Sequence, residues 1–227
     1  MKFHTEGENM AIYAVQGLYA AGCLALAYPL YRDVLNPSFL ANHKDVLTRG
    51  DDIKGLVDSQ AQKMELKKEI VVIQGEKNGY RSYGNTWFGM VGIYVAQSEQ
   101  NREFHITHQL AHIKANDNLT VFGGALAAVL FTTLVLAVNR DLFTGYLGGM
   151  GAGLITGVVL RRRAEKRADL TAMQNCSDHV NRSFLNRLQK DKENGNDQDL
   201  SSWIFCLVEP SLDEKIGYFQ AHIQQAL

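Results

Sequence analysis

Apolar residues in this chain are gathered into three uncharged blocks, Asn9–Tyr31, Val121–Val138 and Leu142–Leu160, separated by markedly polar sequence. Each block approaches the ~20 residues that one helix needs to cross a bilayer. The second and third are divided only by Asn139-Arg140-Asp141, so they form an antiparallel helical hairpin. Small residues recur in them: Gly123, Gly124, Ala127 and Ala128 in one, Gly148, Gly149, Gly151, Gly153 and Gly157 in the other. Such spacing lets helices approach closely in lipid, whereas this many glycines make poor helices in water. The hairpin therefore reads as transmembrane; a hairpin buried in a soluble domain is the alternative. The first block reads as a membrane helix rather than a signal peptide, because Lys2 is countered by Glu6 and Glu8 where a positive leader is expected. Pro29 and Pro37 are expected to end it.

The polar segments carry their own periodicities. Asp45–Lys68, with Val46, Leu47, Ile53, Leu56, Val57, Met64 and Leu66, predicts one or two surface helices. Ile70-Val71-Val72-Ile73 and Val91-Gly92-Ile93-Tyr94-Val95 predict two strands, and Gly75–Gly84 reads as turn. A helix follows over Glu103–Asn116, a charged amphipathic helix over Ala164–Leu188, a polar linker over Lys190–Asp199, a short apolar segment over Ser201–Val208 and a last helix over Leu212–Ala226. The fold class is thus α+β, mainly helical, with a small sheet and an inserted apolar hairpin. Residues 9–31 are expected to form an N-terminal membrane helix, 40–119 with 161–227 one polar domain, and 120–160 the hairpin inserted in it.

Charge narrows the function. A net charge of -1 gives no electrostatic footprint for nucleic acid. Cys23, Cys176 and Cys206 are odd in number and scattered, which excludes a disulfide framework and fits a reducing compartment. Arg161-Arg162-Arg163, Lys166 and Arg167 follow the third block directly, placing that end in the cytoplasm by the positive-inside rule.

His108-Gln109-Leu110-Ala111-His112 carries the candidate chemistry. Imidazoles at i and i+4 share one helix face and reach one ion. A catalytic zinc takes three protein ligands and leaves the fourth position for water. Because the hairpin brings the chain back to the same membrane face, Glu165 is the expected third ligand. Asp169, one turn later, is placed to accept the second ring N–H of a ligand histidine. His105, three residues before His108, reads as structural.

This order of elements resembles the HtpX type of membrane zinc peptidase, a group that includes the CAAX prenyl protease. The matching features are H-x-L-A-H-I, Asn116-Asp117, two apolar segments, a basic turn and Glu165-x-x-x-Asp169, over roughly Gly84 to Ala172. A fainter echo lies at Pro210–Ile216. The resemblance implies a zincin-like catalytic domain that holds Zn2+ on His108, His112 and Glu165, with Asp169 behind them. It implies a substrate that pairs with the strand at Gly92, Ile93, Tyr94 and Val95, preceded by Asn85. It also implies a peptide or membrane-protein substrate, a bilayer partner and a multi-pass position in a bacterial plasma membrane with the catalytic domain in the cytoplasm. Oligomerisation is left open.

Two positions depart from the pattern. Gln109 stands where the general-base Glu belongs, and an amide cannot take a proton from water. Losing a general base lowers the rate by ~10²–10⁴. The expected activity, metal-assisted peptide hydrolysis, is therefore absent or nearly so. Because the other motif positions are kept and Gln is nearly isosteric, Gln109 is read as an engineered Glu-to-Gln replacement, with a natural pseudopeptidase that binds peptide or protein as the alternative. Glu209 stands where relatives often have His before Pro; His179, Arg182 and Tyr218 are the candidate substitutes for polarising the scissile carbonyl, but each reads first as an ordinary surface or packing residue.

Overall fold

A computed structural model describes residues 6–38, 40, 45–47, 51–75, 80–87, 90–96, 101–195 and 209–225. The first apolar block forms α1, Glu6–Pro29. Pro29 does not end the run, contrary to expectation: the chain continues as one wide π-helical stretch, Leu30–Leu35, closed by Asn36 N–H donating to the Tyr31 carbonyl at 2.8 Å. Proline removes a backbone donor and crowds the preceding turn, and a wider turn is one way to continue past it.

The polar region that follows is only partly helical. Helix α2 spans Asp52–Lys63, while Val46 bridges to Ile73 instead of joining a helix. Strands β1 (Ile70–Gly75), β2 (Arg81–Gly84) and β3 (Val91–Ala96) form a mixed sheet in the order β1-β3-β2. β1 runs parallel to β3, with Ile70 opposite Val91, and β2 runs antiparallel to it, with Tyr83 opposite Gly92. β2 lies inside the segment expected to be turn.

Helix α3, Arg102–Lys114, carries the histidine motif. Asn116, in the left-handed region at φ 55, separates it from α4, Asp117–Asn139. Asn accepts that conformation more readily than most residues, because its short polar side chain bonds locally. Helix α5 then runs unbroken over Leu142–Asn175, with Asp141 capping its start by accepting from Thr144 N–H at 2.8 Å. The expected separate helix from Ala164 is therefore the second half of α5, and Arg161-Arg162-Arg163 is helical rather than a turn. The break falls at Cys176–Ser177, before α6 (Asp178–Glu193), and α7 closes the described chain over Leu212–Gln225. The apolar segment expected at Ser201–Val208 lies outside the described residues.

α4 and α5 approach closely because Gly145, Gly149 and Gly153 line one face. A Cβ at Gly149 would meet the Val129 carbonyl at 2.8 Å, and one at Gly145 the Thr133 carbonyl at 3.0 Å. Two helices, α4 and α5, are long and apolar enough to cross a membrane. Their outward faces are apolar too: Phe131 is 69% exposed, Val138 76% and Leu154 71%. α1 leans on this pair, with Tyr19 and Tyr146 at 4.7 Å between ring centroids and Gly22 beside Met150.

Two buried clusters hold the polar half. One gathers Val57, Ile70, Val72, Ile93, Ile106 and Leu110, and Ala168 joins it from beyond the hairpin. The other stacks Phe104, Phe184 and Phe219 with Ala172 and Met173. Segments on both sides of the hairpin thus share cores, and this is what sets α5 against α3.

Candidate metal centre

Ala168 and Ala172 are almost fully buried, and these small side chains let α5 settle onto the motif helix. The consequence is a triangle of donor atoms. His108 Nε2 and His112 Nε2 are 3.0 Å apart, and Glu165 Oε2 lies 3.2 Å from the first and 3.5 Å from the second. A tetrahedral ion bonded at ~2.0–2.2 Å separates neighbouring donors by roughly 3.3–3.6 Å. The triangle matches one face of such a tetrahedron to within a few tenths of an ångström. His108, His112 and Glu165 can hold a metal ion.

The far sides of the rings support the same reading. His108 Nδ1 lies 2.8 Å from Asp169 Oδ1, and His112 Nδ1 lies 2.8 Å from Asp117 Oδ2. With each Nδ1–H donating to a carboxylate, both Nε2 atoms converge with a carboxylate oxygen, an arrangement that a proton or a metal cation among them satisfies. Burial lowers the pKa of the His112 imidazole, to about 4, which keeps it a neutral donor for a cation. Burial also works against a charged His108, but the hydrogen bonds to Asp169 and Glu165 outweigh it and push that ring up to about 9. The trio draws positive charge inward, which is the role a divalent ion fills.

Asp169 sits where expected, behind His108. Asp117 is the counterpart that sequence reasoning missed: it is 1% exposed, lies behind His112 and is paired with Arg167. Its one signal was Asn116, a residue suited to a left-handed break. Tyr218 from α7 donates to Asp169. Burial first, then the neighbouring Asp169 charge, raise the pKa of this phenol, so it stays a donor. Tyr218 is therefore committed to holding Asp169 rather than free to polarise a carbonyl. His179 and Arg182 are exposed on α6, and Glu209 pairs with Lys215 at 3.1 Å. His105 is structural: its ring stacks on Tyr80 at 4.7 Å, and burial first lowers its pKa, to about 3.

The expected substrate strand is corrected. Gly92, Ile93, Tyr94 and Val95 lie in β3, the central strand; all four pair with β1, and the first three also with β2. Val91 to Tyr94 are paired on both edges, so a further strand cannot add along them, and Val95 is paired on the β1 side. Asn85 likewise serves the scaffold: its side chain donates to the Val34 carbonyl at 2.7 Å and accepts from Trp87 N–H at 3.0 Å. Among the described strands, β2 is an edge strand beside a cleft, with its Ser82 carbonyl accepting from Asn118 Nδ2 at 2.9 Å. Tyr80, Arg81, Ser82 and Tyr83 line this cleft of about 210 Å³ together with Gln109 and Arg161. Arg161 also reaches Glu165 Oε1 at 2.5 Å, so this cleft adjoins the metal-binding triangle.

Comparison with protein-family models and with curated proteins gives no match for this chain.

Proposed function

We propose that the chain is a membrane-embedded zinc metallopeptidase of the HtpX type, arrested at Gln109. The carrying observation is the triangle His108–His112–Glu165 with a separate carboxylate behind each imidazole. Two imidazoles and a carboxylate suit zinc. When bound there, zinc supplies Lewis-acid polarisation and brings the pKa of a water toward ~7. The protein's own residues supply the rest. Asp169 and Asp117 fix the ring tautomers, and Arg161 sets a positive charge at the rim of the cleft. β2 is the edge strand beside the cleft, and an extended peptide that adds there would take the place of Asn118 at the Ser82 carbonyl. Gln109, in the same cleft, can donate or accept a hydrogen bond but cannot hold a proton at the general-base position.

The hairpin's composition and outward apolar surface support a bilayer setting. Patches of this extent are rare on soluble monomers. In the same reading, α1 is a third membrane helix and the polar half lies in the cytoplasm, on the side marked by Arg161–Arg163 and Lys166. Gln109 itself favours a second reading, a natural pseudopeptidase that keeps the metal and binds peptide without cutting it.

The experiment is a pair of proteins in detergent, the chain as it stands and Gln109→Glu. Both are expected to carry about one zinc per chain by metal analysis. Only Gln109→Glu should degrade casein, and a chelator should stop it. Zinc in both with cleavage in neither selects the pseudopeptidase. Absence of zinc from both sinks the metal site.

A further inference from the structure

We propose that the Asn85–Trp87 loop is an interfacial anchor, with Trp87 seated in the lipid headgroup layer beside the first turn of α4. The proposal rests on the membrane reading of α4 and α5, and it names a part of the polar half that touches lipid. Trp87 is 69% exposed, although tryptophan is usually highly buried. Its place is fixed by short polar contacts. Thr86 N–H donates to Asn116 Oδ1 at 2.6 Å, and Asn116 Nδ2 donates back to Thr86 Oγ1 at 2.8 Å. Asn85 ties the loop to the Val34 carbonyl at the end of the π-helical stretch.

Those ties set the level of Trp87 relative to the bilayer. Asn116 immediately precedes α4, whose 23 residues span roughly 34 Å at 1.5 Å per residue, close to a ~30 Å hydrocarbon layer. The start of α4 therefore falls at the interface, and so does the loop bonded to it. Other residues near this end have the interfacial signature. Tyr28 and Tyr31 are 60% and 59% exposed, and Arg32 lies over the Tyr28 ring at 5.3 Å. Arg161-Arg162-Arg163 begins where α5 stops being apolar. Exposed aromatic rings mixed with basic side chains are what the membrane–water boundary selects. Because β2 ends at Gly84, directly before the loop, the anchor would also hold the edge of the cleft at the membrane surface.

The chain has two tryptophans, so Trp203→Phe leaves Trp87 as the only reporter. The variant is reconstituted into phosphatidylcholine vesicles brominated at shallow, middle or deep acyl positions. The expected result is a blue-shifted emission, quenched most by the shallow bromines and weakly by iodide. A water-like emission quenched by iodide alone overturns the anchor, as does strongest quenching from the deepest bromines. Quenching that depends on protein concentration at fixed lipid also overturns it, because a second copy would then be the cover. If Trp203→Phe does not fold, the difference between the unaltered chain and Trp87→Phe gives the same readout. An alkaline wash of the vesicles separates the two ideas. A retained chain with a water-exposed Trp87 defeats the anchor alone, whereas a released chain defeats the membrane reading with it.

Discussion

Asp117 shows at the residue scale what spacing alone can reveal. His108, His112, Glu165 and Asp169 were legible because i, i+4 pairs share a helix face. Along a continuous helix, a residue five positions after His112 lies about 140° away from it. Only the left-handed Asn116 turns Asp117 back to His112 Nδ1. Outer-shell carboxylates of this kind typically contribute ~10–100-fold to metal affinity. In the proposed zinc site, Asp117→Asn should weaken metal affinity by about that factor, measured by competition with a fluorescent chelator, with the helical signal unchanged. His105 makes a separate prediction. Burial, reinforced by the His108 and Arg187 charges, holds its folded pKa down at about 3 against 6.5 for the free side chain. The unfolded chain therefore binds this proton first as pH falls. The stability due to a neutral His105 is fully present above about 6.5 and is lost between there and about 3, on the order of 1 kcal/mol per pH unit. Replacing His105 by Phe should flatten this acid limb in denaturant titrations.

At the scale of elements, the decisive fact is that α5 does not stop after its apolar half. Glu165 is delivered to the histidines by the same rigid helix that packs against α4, so helical phase sets the site. One alanine inserted after Arg163 would turn every later residue by about 100° while leaving the Gly145–Gly153 contact intact. On the proposed reading, zinc should be lost and membrane integration kept, which metal analysis of the extracted protein checks. The sheet was less legible. Two of its strands were readable from β-branched runs, but β2 is four residues long within a segment rich in turn formers. The central place of β3 is a matter of long-range pairing, which no local pattern records. That pairing leaves Gly92, Ile93 and Tyr94 bonded on both edges and makes β2 an edge strand.

For the whole molecule, the hairpin is an insertion between halves that share their cores, as Ala168 and Ala172 show by joining residues from before it. Leu130, 53% exposed near the middle of α4, discriminates between the two settings. On a water-facing helix Leu130→Arg would be nearly neutral. On a lipid-facing one it disfavours insertion by about 2.5–3.5 kcal/mol, so membrane-integrated protein should fall sharply in a fractionation assay. The sequence by itself determined the apolar hairpin, the shared face of the two histidines and the return of Glu165 to their side, because composition and helical period are local properties. Tertiary structure alone decided which carboxylate backs His112, which strand lies at the centre of the sheet and what Tyr218 holds. Those depend on a left-handed residue and on contacts between segments far apart in the chain, where many arrangements satisfy the same local preferences and only packing chooses among them.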